Sequence, residues 1–212
     1  MYTLYGGKGS GSAAIEAALE LSGAKFRIVN AATWANDPGV DELREVNPLL
    51  QIPTLKLPDD SILTESAAIL IHLGLGHRKS GLLSADVSTR AQQIRGLVFI
   101  AANCYAAVGI ADYPERWTSA TTKPAVEKVR EGARARLHRN WEIFADQFPA
   151  SPFLSGDAPG ALDLLASVVS KWSGTRQHLA RARPKFLATL EMIEQVPAIA
   201  SVYARHWKPA RG

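Results

Sequence analysis

The feature that most constrains the fold of this chain is a change of hydrophobic periodicity near residue 76. Before it, short β-branched or aromatic runs at residues 3–5 and 26–29 alternate with helical segments such as the Ala-rich stretch 13–21. After it, the strand pattern stops, and apolar residues recur at helical spacing in segments 86–110, 124–148, 161–172, 184–194 and 197–206. The pattern predicts an α/β unit followed by an all-α one.

Local signals fill in the order of elements in the first unit. Asp37-Pro38 predicts an N-cap and a first-turn proline for a short helix through Val46. Segments 54–57 and 62–64 flank a turn and predict a hairpin, and a helix follows from Ser66. The order β-α-β-α-β-β-α is the thioredoxin-like topology, although order alone does not distinguish it from other small α/β folds. We expect this domain at 1–76, a linker at 77–85, and an all-helical C-terminal domain at 86–212.

Composition excludes several classes of protein. The 212 residues are 47% hydrophobic and 21% charged, which suits a globular core, and no uninterrupted apolar run approaches the roughly 20 residues of a membrane span. The first residues lack the basic and apolar regions of an export signal, so we expect a cytoplasmic protein with no membrane partner.

Metal and disulfide chemistry have little support in the sequence. Cys104 is the only cysteine, and the alanine-rich helix around it predicts a buried small hydrophobe. The five histidines lack the i,i+4 pairing of a helix-borne zinc motif, so we expect no metal.

The net charge of +4 is spread along the chain. On the segment 123–142, basic residues interleave with Glu127, Glu131 and Glu142, and no aromatic stacking platform accompanies them. This pattern favours a solvated helix face over a nucleic-acid site, and a mild positive field would help to collect a small anionic substrate.

The run Asn47-Pro48-Leu49-Leu50-Gln51-Ile52-Pro53-Thr54, with Glu65-Ser66 opening an apolar helix, resembles the soluble bacterial glutathione transferases over nearly the whole chain. The resemblance implies that Pro53 follows a cis bond and that Ile52 offers its backbone to the cysteinyl part of glutathione. Gln51 would add a side-chain amide. The family commonly has glycine where this chain has Leu50.

The resemblance implies that Glu65 and Ser66 bind the γ-glutamyl end of glutathione. Ser66 would donate its hydroxyl and N–H to the ligand carboxylate at the positive end of a helix, and Glu65 would accept from the ligand ammonium. Taken alone, the same residues could form an ordinary N-cap.

Residues 8–12 lie between the first strand and the first helix, where the thiol would sit. The resemblance places Ser10 near the activating hydroxyl of serine-type members, with Ser12 as the alternative, and either serine could merely cap the helix. Gly11 stands where cysteine-type members have their cysteine. Tyr5 lies inside the strand, and its pattern predicts a core residue.

The helical half would hold the second substrate. Its candidates are the amphipathic or aromatic residues Asn103, Tyr105, Tyr113, Trp117 and Trp172, each of which could equally be ordinary core. Gly160-Ala161-Leu162-Asp163 resembles the family's helix-capping motif, with Gly160 in place of Ser or Thr. We expect Asp163 to be structural and to bind backbone N–H groups near 156–160.

The resemblance therefore implies a glutathione S-transferase that activates the thiol and transfers it to a small hydrophobic electrophile in detoxification. The resemblance implies a homodimer, with glutathione as co-substrate. The alternatives are a glutathione-dependent isomerase or peroxidase on the same fold, or a non-catalytic binding module.

Overall fold

The computed structural model describes residues 1–207. Its first half consists of β1 (Tyr2–Gly6), α1 (Ser12–Leu21), β2 (Phe26–Asn30), α2 (Val40–Val46), β3 (Thr54–Lys56), β4 (Ile62–Leu63) and α3 (Ser66–Gly76). The four strands form a mixed sheet of order β2-β1-β3-β4, in which β1 runs parallel to β2 and antiparallel to β3. This is the predicted thioredoxin-like topology.

The register of the sheet brings three separate segments to one edge. Tyr5 pairs with Thr54, so the end of β1 lies beside the start of β3. Leu63 pairs with Leu55 and runs antiparallel to β3, so the end of β4 lies at the same edge. The loop after β1, the loop before β3 and the start of α3 therefore meet there.

The second half is helical, as predicted. It contains α4 (Val87–Phe99), a π-helical turn (Ile100–Tyr105), α5 (Ala106–Asp112), α6 (Lys123–Gln147), α7 (Ala161–Val169), α8 (Thr175–Ala182), α9 (Pro184–Gln195) and α10 (Pro197–His206). Sequence spacing did not predict α8 or the π-helical turn. The division at 1–76, 77–85 and 86–212 remains our proposal, although α3 does end at Gly76.

One buried core runs through both halves. Every residue of α7 is buried, and this helix packs against α1, α3, α4 and α9. Because α1 also contacts α10, the first helix is held between the sheet and the helical half. Cys104 is fully buried in this core, as expected, and burial raises the pKa of its thiol.

Asp163 has the structural role that its motif predicted. Its carboxylate accepts the N–H groups of Leu154 at 2.8 Å, Ser155 at 3.0 Å and Gly160 at 3.0 Å. The first two lie slightly before the expected segment. A Cβ on residue 160 would lie 2.7 Å from the carbonyl oxygen of Leu82, which explains why glycine replaces Ser or Thr there.

The prediction for the start of α2 was wrong. The helix begins at Val40 with Gly39 as its N-cap, so neither Asp37 nor Pro38 has the predicted role. Asp37 instead accepts the N–H of Ala32 at 3.0 Å and closes the turn that precedes the helix.

Among residues 1–207, one helical stretch, Val87–Asp112, is long and apolar enough to cross a membrane by length and composition. Its buried residues, among them Leu97, Ile100 and Cys104, pack into the common core. Core helices of soluble proteins pass the same test, so the absence of a membrane partner stays a prediction.

Candidate active site

Asn47 fixes the shape of the loop that leads into β3. Its buried side-chain amide donates to the carbonyl oxygen of Gln51 at 3.0 Å and to Oγ1 of Thr54 at 2.9 Å. Thr54 Oγ1 in turn donates to the same Gln51 carbonyl at 2.8 Å. The backbone on either side of Ile52 is therefore held in place by side chains on the protein side.

Ile52 itself has an open backbone. The Ile52–Pro53 bond is cis, as the resemblance implied, and among residues 1–207 neither the N–H nor the C=O of Ile52 has a hydrogen-bond partner. Leu50 has φ of 53°, in the left-handed region that glycine adopts without strain, which accounts for glycine being common at this position. The loop thus offers one free donor and one free acceptor.

The start of α3 is open as well. Ser66 is its first residue and is 7% exposed, and no side chain among residues 1–207 caps the helix. The structure therefore does not show the ordinary N-cap that was the alternative interpretation. Glu65, just before the helix, is exposed and has φ of 64° and ψ of 108°, which costs a non-glycine residue about 1–3 kcal/mol.

The two candidate serines are joined in a buried cluster at the start of α1. Ser10 Oγ donates to the carbonyl oxygen of Gly7 at 2.8 Å and lies 2.8 Å from Ser12 Oγ. Ser12 Oγ also accepts the N–H of Gly7 at 3.1 Å. The protons of both hydroxyl groups are thus used within the loop.

Tyr105 reaches this cluster from the helical half. A Cβ on Gly11, the N-cap of α1, would overlap the Tyr105 hydroxyl and lie 3.2 Å from its Cζ atom. Burial, and then the charges of Asp112 and Glu65, raise the pKa of Tyr105 to about 12. The sequence placed Tyr105 either on a pocket wall or in the ordinary core, because nothing in the sequence relates it to Gly11.

Trp172 supports the Tyr105 ring, and their centroids lie 5.5 Å apart at 31°. Among residues 1–207, no hydrogen bond or aromatic pair joins the other predicted wall residues to Tyr105 or Trp172. Asn103 donates to the carbonyl of Phe99, Tyr113 packs under Arg116, and Trp117 is 62% exposed.

Tyr5 is buried, as its strand position predicted, and its hydroxyl donates to Glu42 on α2 at 2.8 Å. Among residues 1–207, no group of three or more His, Cys, Asp or Glu side chains is arranged to hold a metal ion.

The end of α10 packs against α1 and against the loop at residues 7–12. The sequence did not predict this contact. Glu16, buried in α1, accepts from Nε of Arg205 at 2.7 Å and lies 2.6 Å from Nε2 of His206. The indole nitrogen of Trp207 lies 3.6 Å from the Cβ position of Gly9. The C-terminal helix therefore fixes the segment that carries Ser10 and Ser12.

Comparison with known proteins places these features in context. Residues 12–74 match the family described as glutathione S-transferase, N-terminal domain. An uncharacterized GST-like protein, YncG, of Escherichia coli strain K12 is 29% identical over 209 residues, covering 97% of this chain and 98% of the relative.

Solved structures agree over nearly the whole chain. A glutathione transferase from Methylococcus capsulatus has a TM-score of 0.78 and 26% identity, covering 96% of this chain and 98% of its own. A glutathione transferase homolog from Sulfitobacter, with bound glutathione, has a TM-score of 0.83 and 22% identity, covering 96% and 97%. The chain thus has the glutathione transferase fold, and its residues 12–74 match the N-terminal domain of that family.

Proposed function

We propose that this protein is a glutathione S-transferase, which activates the thiol of glutathione and transfers it to a small hydrophobic electrophile. The observation that carries the proposal is the meeting, at one sheet edge, of the unpaired Ile52 backbone and the open start of α3 at Ser66. An extended peptide with a terminal carboxylate suits both groups.

Each end of the tripeptide has a partner in this proposal. The Ile52 N–H and C=O pair with the cysteinyl backbone next to the cis bond at Pro53. Ser66 and the first N–H groups of α3 bind the γ-glutamyl carboxylate. Glu65 accepts from the ammonium, and Gln51 adds its exposed side-chain amide.

The cysteinyl sulfur then lies at the N-terminus of α1. The thiolate is the reactive form, and a helix N-terminus with hydroxyl donors favours it over the thiol. Ser10 is the first candidate donor and Ser12 the second. The electrophile occupies a wall formed by Tyr105 and Trp172, with Asn103, Tyr113 and Trp117 as further candidates, and proximity supplies much of the rate.

Titration calorimetry with reduced glutathione tests the binding step. We expect saturable binding at millimolar ligand or below, and no detectable heat across that range would remove the proposal. Ser10→Ala and Ser12→Ala, assayed singly, test the roles of the two serines. Unchanged turnover in both would exclude them as thiol activators.

A panel of aryl halides, epoxides, peroxides and maleyl compounds identifies the reaction. Turnover of aryl halides or epoxides supports the transferase. Turnover confined to maleyl compounds or peroxides would replace it with an isomerase or a peroxidase, and binding without any turnover would indicate a non-catalytic module. We further propose a cytoplasmic homodimer acting in detoxification, and light scattering measures the assembly.

A further inference from the structure

We propose that Tyr105 is a catalytic residue, which donates its hydroxyl proton in a hydrogen bond to the sulfur of bound glutathione. This inference rests on the proposed function and deepens it. It adds a thiol donor from the helical half of the chain to the two candidate serines, Ser10 and Ser12, of the loop before α1.

The position of the Tyr105 hydroxyl is the first argument. It occupies the space that any side chain at residue 11 would need, because a Cβ on Gly11 would overlap it. Gly11 is the N-cap of α1, where the partial positive charge of the helix is greatest. A hydroxyl here can approach a sulfur atom that is held at the same helix end.

Second, the hydroxyl protons of the two serines are already used in hydrogen bonds, whereas that of Tyr105 is not used by any of the described residues. Ser10 and Ser12 share the Gly7 carbonyl and each other as acceptors, so a serine must break an existing hydrogen bond before it can donate to sulfur. The Tyr105 hydroxyl has no hydrogen-bond partner among residues 1–207. It is therefore the donor that is free before the ligand arrives.

The support of the ring is the third argument. Tyr105 is the last residue of the π-helical turn, and its ring packs on Trp172. These contacts restrict the rotation of the side chain and so keep its hydroxyl beside Gly11. π-Helical turns are frequent at functional sites. A side chain whose rotation is restricted in this way needs little ordering when glutathione binds.

The protonation state of the Tyr105 hydroxyl determines its role in the reaction. Its hydroxyl stays protonated near neutral pH, so it donates a hydrogen bond and does not remove the thiol proton. That proton passes to solvent as the thiolate forms. The sulfur then attacks the electrophilic carbon, a C–S bond forms, and the leaving group departs with the electron pair of the bond that breaks.

Tyr105→Phe tests the assignment, since it keeps the ring and its packing on Trp172. The thiolate of bound glutathione is measured by its ultraviolet absorbance as a function of pH. We expect binding of glutathione within about twofold of wild type, and a raised pKa of the bound thiol. Because a hydrogen bond to a charged group is lost, kcat/KM near pH 7 should fall about 10- to 100-fold and recover at high pH.

Tyr2→Phe is the matched control, since it removes a tyrosine hydroxyl that contacts His77 and no part of the site. We expect the wild-type thiol pKa in this variant. Gly11→Ala is a second route to the same result, because its methyl group displaces the Tyr105 hydroxyl. The double variant with Tyr105→Phe should raise the thiol pKa no further than either single change.

The outcomes separate the two proposals. Glutathione binding with the same thiol pKa in wild type and Tyr105→Phe would overturn the role of Tyr105 and leave the transferase proposal intact. A change confined to KM for the electrophile would also overturn the role of Tyr105 as a thiol donor, and would show that it only contacts the electrophile. Absence of glutathione binding in the wild type would overturn both.

Discussion

At the scale of single residues, the candidate site combines polar groups that have hydrogen-bond partners with polar groups that have none among residues 1–207. Asn47 and Thr54 use their hydrogen bonds to hold the Ile52 loop, while Ile52 and Ser66 keep theirs open among residues 1–207. Glu65 keeps a strained backbone next to them. Strain of this kind persists where a ligand clamp requires it.

Glu65→Gly should stabilise the fold and at the same time weaken the binding of glutathione. Glycine adopts a positive φ without strain, so we expect the free energy of unfolding to rise by about 1 kcal/mol. Loss of the carboxylate that accepts the ligand ammonium should weaken glutathione binding about 10- to 100-fold. Urea unfolding and calorimetry measure the two effects.

Glu65→Gln is the matched control, because it removes the charge and keeps a side chain on the same backbone. It should weaken binding comparably and leave stability unchanged. Wild-type affinity in both variants would show that Glu65 does not contact the ligand.

The sequence predicted some of these residues and could not predict others. Gln51, Ile52, Pro53, Glu65 and Ser66 stood out because each lies within a short local motif, and the cis bond at Pro53 agrees with that motif. Tyr105 did not stand out as a thiol donor. Its contact with Gly11 depends on how the two halves pack, which no local spacing encodes.

At the scale of elements, the capping of α7 is the most informative case. The Asp163 carboxylate holds three backbone N–H groups, of Leu154, Ser155 and Gly160, and the helix it starts lies at the centre of the core. Asp163→Asn has nearly the same volume but turns an amide toward some of these donors. We expect a loss of about 2–5 kcal/mol in the free energy of unfolding.

Urea unfolding measures this loss, and Asp157→Asn, at an exposed position in the same loop, serves as the control. Specific activity per folded molecule should stay close to wild type in both variants. A change below about 0.5 kcal/mol for Asp163→Asn would contradict the structural role.

The elements that were missed have physical reasons. Segment 175–182 is short and polar, and Leu179 is its only large apolar residue, so too few apolar residues are present to reveal a helical spacing. The π-helical turn preserves a helical pattern and changes only its phase. Asp37-Pro38 has the composition of a helix start, but Gly39, which donates to the carbonyl of Asn30 at 2.9 Å, brings the chain close to β2 and delays the helix.

At the scale of the whole molecule, Glu16 joins α1 to α10, two helices that lie far apart in the sequence. Burial alone would raise the pKa of this carboxyl, but hydrogen bonds from His206 and Arg205 outweigh burial and hold the pKa below its ordinary value of 4.5. A carboxyl whose pKa is lowered by folding stabilises the native state above its unfolded pKa. That contribution disappears as the pH falls through the native pKa.

We therefore expect the stability of the wild type to fall in acid, from about pH 4.5 downward, partly because Glu16 becomes protonated. Glu16→Gln should lower the free energy of unfolding at pH 7 and reduce its change between pH 7 and pH 3. Urea unfolding at a series of pH values measures both. Glu45→Gln, at an exposed position on α2, should follow the wild-type curve, and an equal acid loss in Glu16→Gln would contradict the assignment.

The junction at Glu16 also affects the order in which the protein can mature on the ribosome. Arg205 and His206 follow Glu16 by 189 and 190 residues in the sequence, so they are synthesised long after it. The nascent β1–α1 unit therefore carries an uncompensated acid that opposes its burial. Glu16 can pair with these residues only after α10 has been synthesised, so a chain that stops before residue 205 would lack this support for the start of α1.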